Sequence, residues 1–208
     1  MVRVPPSISH SYIPCQEGDL DSKLEALFIG LASRQPKAPL VFVPRGTALD
    51  GVVNALGRQG FKGAVALHEA LGFKLDTFRN LAGKYEEEAG TTQPALGEDT
   101  VGTGSKSSEA AATAAATGAA SFSSLKSKLP ILVASEDTAR GLHLPGVDVV
   151  FIAARPRSAD EYVHLAGRTG RCGEEGHVVS LVSYREGKAL EVWAKQPGFP
   201  LERERLMD

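Results

Sequence analysis

The sequence predicts an α/β fold, an open and mainly parallel sheet with helices on both faces. Three observations carry this reading. Nearly continuous apolar runs of strand length recur, at Leu40–Val43, Ile131–Ala134, Val147–Ile152 and His177–Val182. Such runs suit parallel strands that are covered on both sides. Segments with helical apolar spacing alternate with them, which is the order of βα units. Hydroxyl residues also stand three positions ahead of glutamates where those helices should begin, the spacing of a capping box.

Taken in order, Leu20, Leu24, Leu27, Phe28 and Leu31 recur at helical spacing, and Ser22 with Glu25 has capping-box spacing. Pro36 and Pro39 end that region, and Leu40–Val43 reads as a buried strand. Thr47 with Asp50 can cap a second helix whose apolar face is Leu49, Val52, Val53 and Leu56, closed by Gly57 and Gly60. Ala64–Leu67 reads as a strand and Phe73–Leu81 as helix-like. From about Gly83 to Ser121 the chain is rich in Ala, Gly, Thr and Ser without apolar periodicity. That composition cannot bury enough apolar surface to offset ordering entropy, so 83–121 is read as a disordered insert, with helix propensity over Ala110–Ala120. The pattern then resumes with the three later strands. Ser158 with Glu161 can cap one helix, and Ser183 with Glu186 another that carries Leu190 and Trp193. One domain over 1–208, interrupted by the insert, accommodates all of this.

Bulk properties narrow the function classes. A chain of 208 residues can bury a sizeable core. No apolar run reaches membrane-spanning length, and Met1-Val2-Arg3-Val4-Pro5-Pro6 has no apolar secretory region. Cys15 and Cys172 lack metal-ligand spacing, so no metal site is expected and a reducing, intracellular compartment is. A net charge of −2 argues against a strongly basic nucleic-acid binder, although the insert holds six of the acids, Glu86, Glu87, Glu88, Glu98, Asp99 and Glu109.

The chemistry concentrates in three segments. Leu40–Val43 is followed by Pro44-Arg45-Gly46-Thr47. Ile131–Ala134 is followed by Ser135-Glu136-Asp137-Thr138-Ala139-Arg140-Gly141-Leu142-His143. The third is His164-Leu165-Ala166-Gly167-Arg168-Thr169-Gly170-Arg171. It sets two arginines three residues apart on a glycine-bearing turn after a helix. A guanidinium stays charged at neutral pH and matches phosphate oxygens, so the pair suits charge that develops on a transferred phosphoryl group. Taken alone, the segment could equally be a surface turn with two solvated arginines. Ligands of open parallel sheets bind beyond the strand C-termini, so the three segments are expected to share that edge.

In this order the segments resemble the last three motifs of the DEAD-box RNA helicases: motif IV at a strand end, "TDxxxRGxD" (motif V) and "HRxGRxGR" (motif VI). The resemblance implies the C-terminal RecA-like domain of such an enzyme. It implies that Arg168 and Arg171 reach the γ-phosphate of ATP held by another RecA-like domain, and that His164 couples the two domains. Gly141 and His143 would lie at the nucleotide, and Arg45, Thr47, Ser135 and Arg140 on the RNA backbone. Several positions depart from the family. Leu165 replaces an arginine, Ser135-Glu136 replaces Thr-Asp, and His143 replaces the aspartate that meets the ribose. After Leu67-His68-Glu69, Phe73 and Asp76 stand where the family has the Gln and Arg of "QxxR".

Neither a GxxxxGK(S/T) phosphate loop nor an Asp-Glu-Ala-Asp run occurs. ATP and Mg²⁺ are therefore expected only in combination with an N-terminal RecA-like domain, in cis or from a partner protein, and the chain alone should not be an active ATPase. The expected partner is RNA, with no membrane. Two readings remain open: the helicase half that supplies arginine fingers, or a catalytically degenerate domain serving as an interaction subunit of a ribonucleoprotein. The ending Gln196–Leu201 resembles organellar members, which leaves chloroplast or mitochondrion open.

Overall fold

The computed structural model describes residues 5–16, 19–72, 131–138, 144, 146–171, 173–195 and 199–204. Seven strands, β1 (Ile8–Pro14), β2 (Pro39–Val43), β3 (Val65–Ala66), β4 (Leu132–Ser135), β5 (Val149–Ile152), β6 (Gly176–Val182) and β7 (Leu201–Arg203), form one sheet. Their order is β3-β4-β2-β5-β6-β1-β7, and each neighbouring pair is parallel. Among the described residues the helices are α1 (Leu20–Arg34), α2 (Leu49–Arg58), the single turn α3 (Leu67–Ala70), α4 (Ala159–Ala166) and α5 (Tyr184–Lys195).

Strand side chains alternate between two cores. Leu40, Phe42, Leu132, Ala134, Val150 and Ile152 face the layer with Tyr162, Leu165 and Leu190 of α4 and α5. Val41, Val43, Val133, Phe151 and Val179 face the layer with Leu24, Leu27, Val52 and Leu56 of α1 and α2. Central strands are therefore buried on both faces and mostly apolar, with Ser135 in β4 and His177 and Ser180 in β6 the polar exceptions. Gly30 lets α1 lie close on β5, since a Cβ there would stand 2.9 Å from the Phe151 ring.

The caps divide. Ser158 accepts from the Glu161 amide, and Ser183 and Glu186 exchange a full capping box, as read from the sequence. Helix α1 instead starts one turn earlier than its expected cap: Asp19 is the N-cap and accepts from the Ser22 amide. Helix α2 begins after Ala48 with no side-chain cap, because Thr47 is spent on a turn whose amide donates to the Pro44 carbonyl at 3.2 Å. The expected strand at Ala64–Leu67 keeps only Val65–Ala66, since Leu67 turns into α3. β5 likewise begins at Val149, because Asp148 is occupied otherwise (below). Two strands escaped the sequence reading: β1, which hides apolar residues among Ser9, His10 and Ser11, and the charged three-residue β7. The helix-like Phe73–Leu81 and the insert 83–121 lie outside the described residues. No helix among the described residues is long and apolar enough to cross a membrane.

Where the strands end, Lys23 of α1 is buried and bonded to the Ala153 carbonyl at 3.1 Å and to Glu186 of α5 at 3.0 Å. It joins helices from opposite faces around the end of β5. Lys23→Met should lower stability by about 3 kcal/mol, because it leaves a mostly buried carboxylate without its cation. Denaturant titration reads the loss, and adding Glu186→Gln should restore part of it.

Candidate functional site

The three motif segments do not share one edge. Pro44–Thr47 and Ser135–Thr138 follow β2 and β4, at the edge where strands end. Helix α4 starts at that edge and runs back, so the Arg168–Arg171 turn lies where strands begin. The Thr169 hydroxyl donates to the carbonyls of Val147 (2.7 Å) and Asp148 (3.1 Å), just ahead of β5. Gly170 packs on Ile8, the first residue of β1. The expectation of a common edge overlooked the length of a helix: eight residues rise about 12 Å, enough to cross the sheet.

This turn is built rigidly. Gly170 has φ +65°, and a Cβ there would fall 2.4 Å from the Ile8 side chain. A Cβ on Gly176 would meet the Gly170 amide at 2.4 Å. Gly167 is no such case, for its φ is −68°. Each arginine is braced on the carbonyl four residues before it: Arg168 Nε donates to His164 at 3.1 Å and Arg171 Nε to Gly167 at 2.8 Å. Arg168 is only 9% exposed, and burial, then the charge of Arg171, pushes its pKa down to about 10, so it remains a cation at neutral pH.

Asp148 is the anchor that the sequence reading missed. Its carboxylate accepts from the amides of Lys37 (2.6 Å), Ala38 (2.9 Å) and Val149 (2.9 Å), while its carbonyl accepts from Thr169 and from His177 (3.0 Å). An acid immediately before an apolar run was the available signal. Beneath α4, Tyr162 shares a 2.8 Å hydrogen bond with Nδ1 of His10, which lies on Phe199 with ring centroids 4.2 Å apart. Burial, with a smaller push from His177, lowers His10 to about 4.

At the opposite edge Arg45 bridges two buried carboxylates, Glu136 and Glu161, each at 2.9 Å. Gly46, at φ +78°, makes the turn that aims Arg45 at them. Glu161 also accepts from the Arg157 amide at 2.6 Å. Burial raises Glu136 above the usual carboxylate range; Arg45 opposes this and Glu161 adds to it. Ser135 is buried, its hydroxyl 3.2 Å from that of Thr138. Thr47 is half-buried on the turn. His164 is exposed on α4 and lines a cleft with Arg45, Asp137, Arg157, Asp160 and Glu161. Thus His164 lines the Arg45 cleft while its carbonyl holds Arg168, and the arginine turn itself lies at the other end of α4. Arg140, Gly141, His143, Phe73, Asp76 and Cys172 lie outside the described residues.

Comparison with known proteins covers the same ground. A family model described as the helicase conserved C-terminal domain matches residues 111–173. DEAD-box ATP-dependent RNA helicase 28 of Arabidopsis thaliana is 42% identical over 77 residues, 37% of this chain and 10% of that protein. The chain spans 10% to 20% of the length of the first curated relatives it matches. Among solved structures, the E. coli DEAD-box protein SrmB bound to the regulator of ribonuclease activity A is similar at TM-score 0.60 and 22% identity, over 95% of this chain and 91% of that one. S. cerevisiae Dbp5 bound to RNA and ADP BeF3 gives TM-score 0.62 at 16% identity, over 99% of this chain and 43% of that one. At these identities the likeness establishes the RecA-like fold.

Two outcomes test the site's supports. Gly170→Ala should cost at least about 2 kcal/mol, from the left-handed φ and the contact with Ile8, measured by thermal or denaturant unfolding. For His10 the folded pKa lies below the unfolded value of 6.5. The unfolded chain therefore takes up the proton first, and stability present above pH 6.5 is lost as pH falls toward 4, by up to about 3 kcal/mol. Unfolding free energies across that window should flatten in His10→Gln.

Proposed function

We infer that this chain, which carries the C-terminal helicase domain of the DEAD-box RNA helicases, supplies arginines to ATP held by an N-terminal RecA-like domain. The observation that carries the reading is the Arg168–Arg171 turn. Two cations are set on a turn fixed by Thr169, Gly170 and Asp148, at the edge where the strands begin. A braced guanidinium costs little further ordering when a phosphoryl group arrives, which is the requirement for electrostatic stabilisation of transition-state charge. ATP and Mg²⁺ then belong to the two-domain enzyme. His164 couples the domains through the Arg45 cleft, and Gly141 and His143 complete the nucleotide side. RNA lies along Arg45, Thr47, Ser135 and Arg140.

One observation favours the second reading, a degenerate domain that serves as an interaction subunit. Arg45 is already neutralised by Glu136 and Glu161, so an RNA phosphate must compete with two carboxylates for it. That weakens the RNA surface without touching the arginine turn.

The test is a protein joining this chain to a RecA-like domain that has a phosphate loop. Arg168→Ala and Arg171→Ala should each lower its RNA-stimulated ATPase by about 10³-fold. Circular dichroism should show the fold kept in Arg171→Ala. Unchanged turnover in both variants would favour the interaction subunit.

A further inference from the structure

A second cleft, of about 570 Å³, opens between α4 and α5 where β5 and β6 end. Its size is that of small-molecule sites. Ile152, Tyr162, Val182, Leu190 and Trp193 give it an apolar lining. Arg155, Arg157 and Arg185 add three exposed cations. Arg155 is 80% exposed, and its nearest acid, Glu186, stands 3.9 Å away. Glu136 also lines the cleft. Arg45 takes its Oε1, whereas its Oε2 is buried without a hydrogen-bond partner. A buried carboxylate oxygen left so is costly, and a donor on a ligand would relieve it.

We propose that this cleft is a nucleotide site: a base stacks at Trp193 on the apolar lining, its amino group donates to Glu136, and its phosphate lies among Arg155, Arg157 and Arg185. Flat aromatic body, donor and anion belong to one ligand class of matching size. Base stacking on an aromatic side chain tolerates any base, so discrimination falls to Glu136. Adenine, guanine and cytosine present an amino group to it. Uracil presents an N–H flanked by two carbonyl oxygens, which a carboxylate repels. The nucleotide is either free or the 5′ end of an RNA strand, and both carry the same groups. This site stands apart from the arginine turn at the opposite edge.

Trp193 is the one tryptophan of the chain, so its fluorescence reports the cleft directly. The purified 208-residue chain is titrated with AMP, GMP, CMP, UMP, ribose 5-phosphate and a 5′-phosphorylated hexanucleotide. AMP, GMP and CMP should quench saturably and bind about tenfold more tightly than UMP. Ribose 5-phosphate should not quench. Arg155→Ala with Arg185→Ala, both at exposed positions, should weaken binding by about tenfold or more. Ala189→Trp, on the cleft wall, should abolish binding, read by calorimetry. Glu136→Gln should erase the gap to UMP; if that variant misfolds, the base ranking and the arginine variants still decide. Quenching by the monophosphates identifies a free nucleotide, and quenching by the hexanucleotide alone identifies an RNA end; either supports the site. Flat titrations for all nucleotides overturn it. So does quenching that ignores the arginine and Ala189 variants, or tighter binding of an acidic aromatic peptide than of any nucleotide. Flat titrations would leave the ATPase reading standing, since its arginines lie elsewhere.

Discussion

Two-sided burial of a parallel sheet is the constraint on which the other features depend. Most side chains on both faces of β2, β4, β5 and β6 are committed to two apolar cores, so charge concentrates at the strand ends. The parallel direction makes those two edges different. One collects strand C-termini and the turns that follow them, the other collects strand entries. At the entry edge the orphan amides ahead of β2 and β5 need an acceptor, and Asp148 supplies it. The same residue's carbonyl then seats Thr169, so a requirement of sheet closure also fixes the arginine turn. The rigidity of that turn is thus a by-product of satisfying backbone groups that burial would otherwise penalise.

At the exit edge the problem is opposite, an excess of buried negative charge. Glu136, Glu161 and Glu186 are all held close to the strand ends: Arg45 pairs with the first two, and Lys23 with the third, which also has Arg155 at 3.9 Å. A longer acid at 136 than the family's aspartate carries its carboxylate to Arg45. This neutralises an arginine that the family resemblance assigns to RNA. The departure at one position therefore alters the character of a neighbouring one, and it leaves Glu136 Oε2 without a partner beside the larger cleft.

What the sequence disclosed follows from the same division. The buried strands announced themselves because nearly every position is apolar, and the capping boxes at Ser158 and Ser183 because their partners lie three residues away. β1 stayed hidden since Ser9, Ser11 and His10 interrupt it; their polar groups are met by His177 and Tyr162, partners more than 150 residues distant. The cap of α1 was misplaced by three residues, because Asp19 and Ser22 offer equivalent chemistry and packing chose between them. In the site, Arg168, Arg171 and His164 were legible as residue types, whereas the separation of the arginine turn from the Arg45 edge was not. Asp148, whose role is entirely in contacts to distant backbone, carried no motif at all.

Helix α4 connects the two edges. Its first turn is held by the Ser158 cap and by Glu161, which grips both Arg45 and the Arg157 amide. Its last turn presents the His164 carbonyl to Arg168 and leads into Thr169. Between them Tyr162, Val163, Leu165 and Ala166 are buried, so the helix is packed along its length. A displacement of Arg45 at the exit edge therefore acts on the first turn of the same helix whose last turn braces Arg168. This short, capped and buried helix thus ties the contacts of Arg45 to the brace of Arg168.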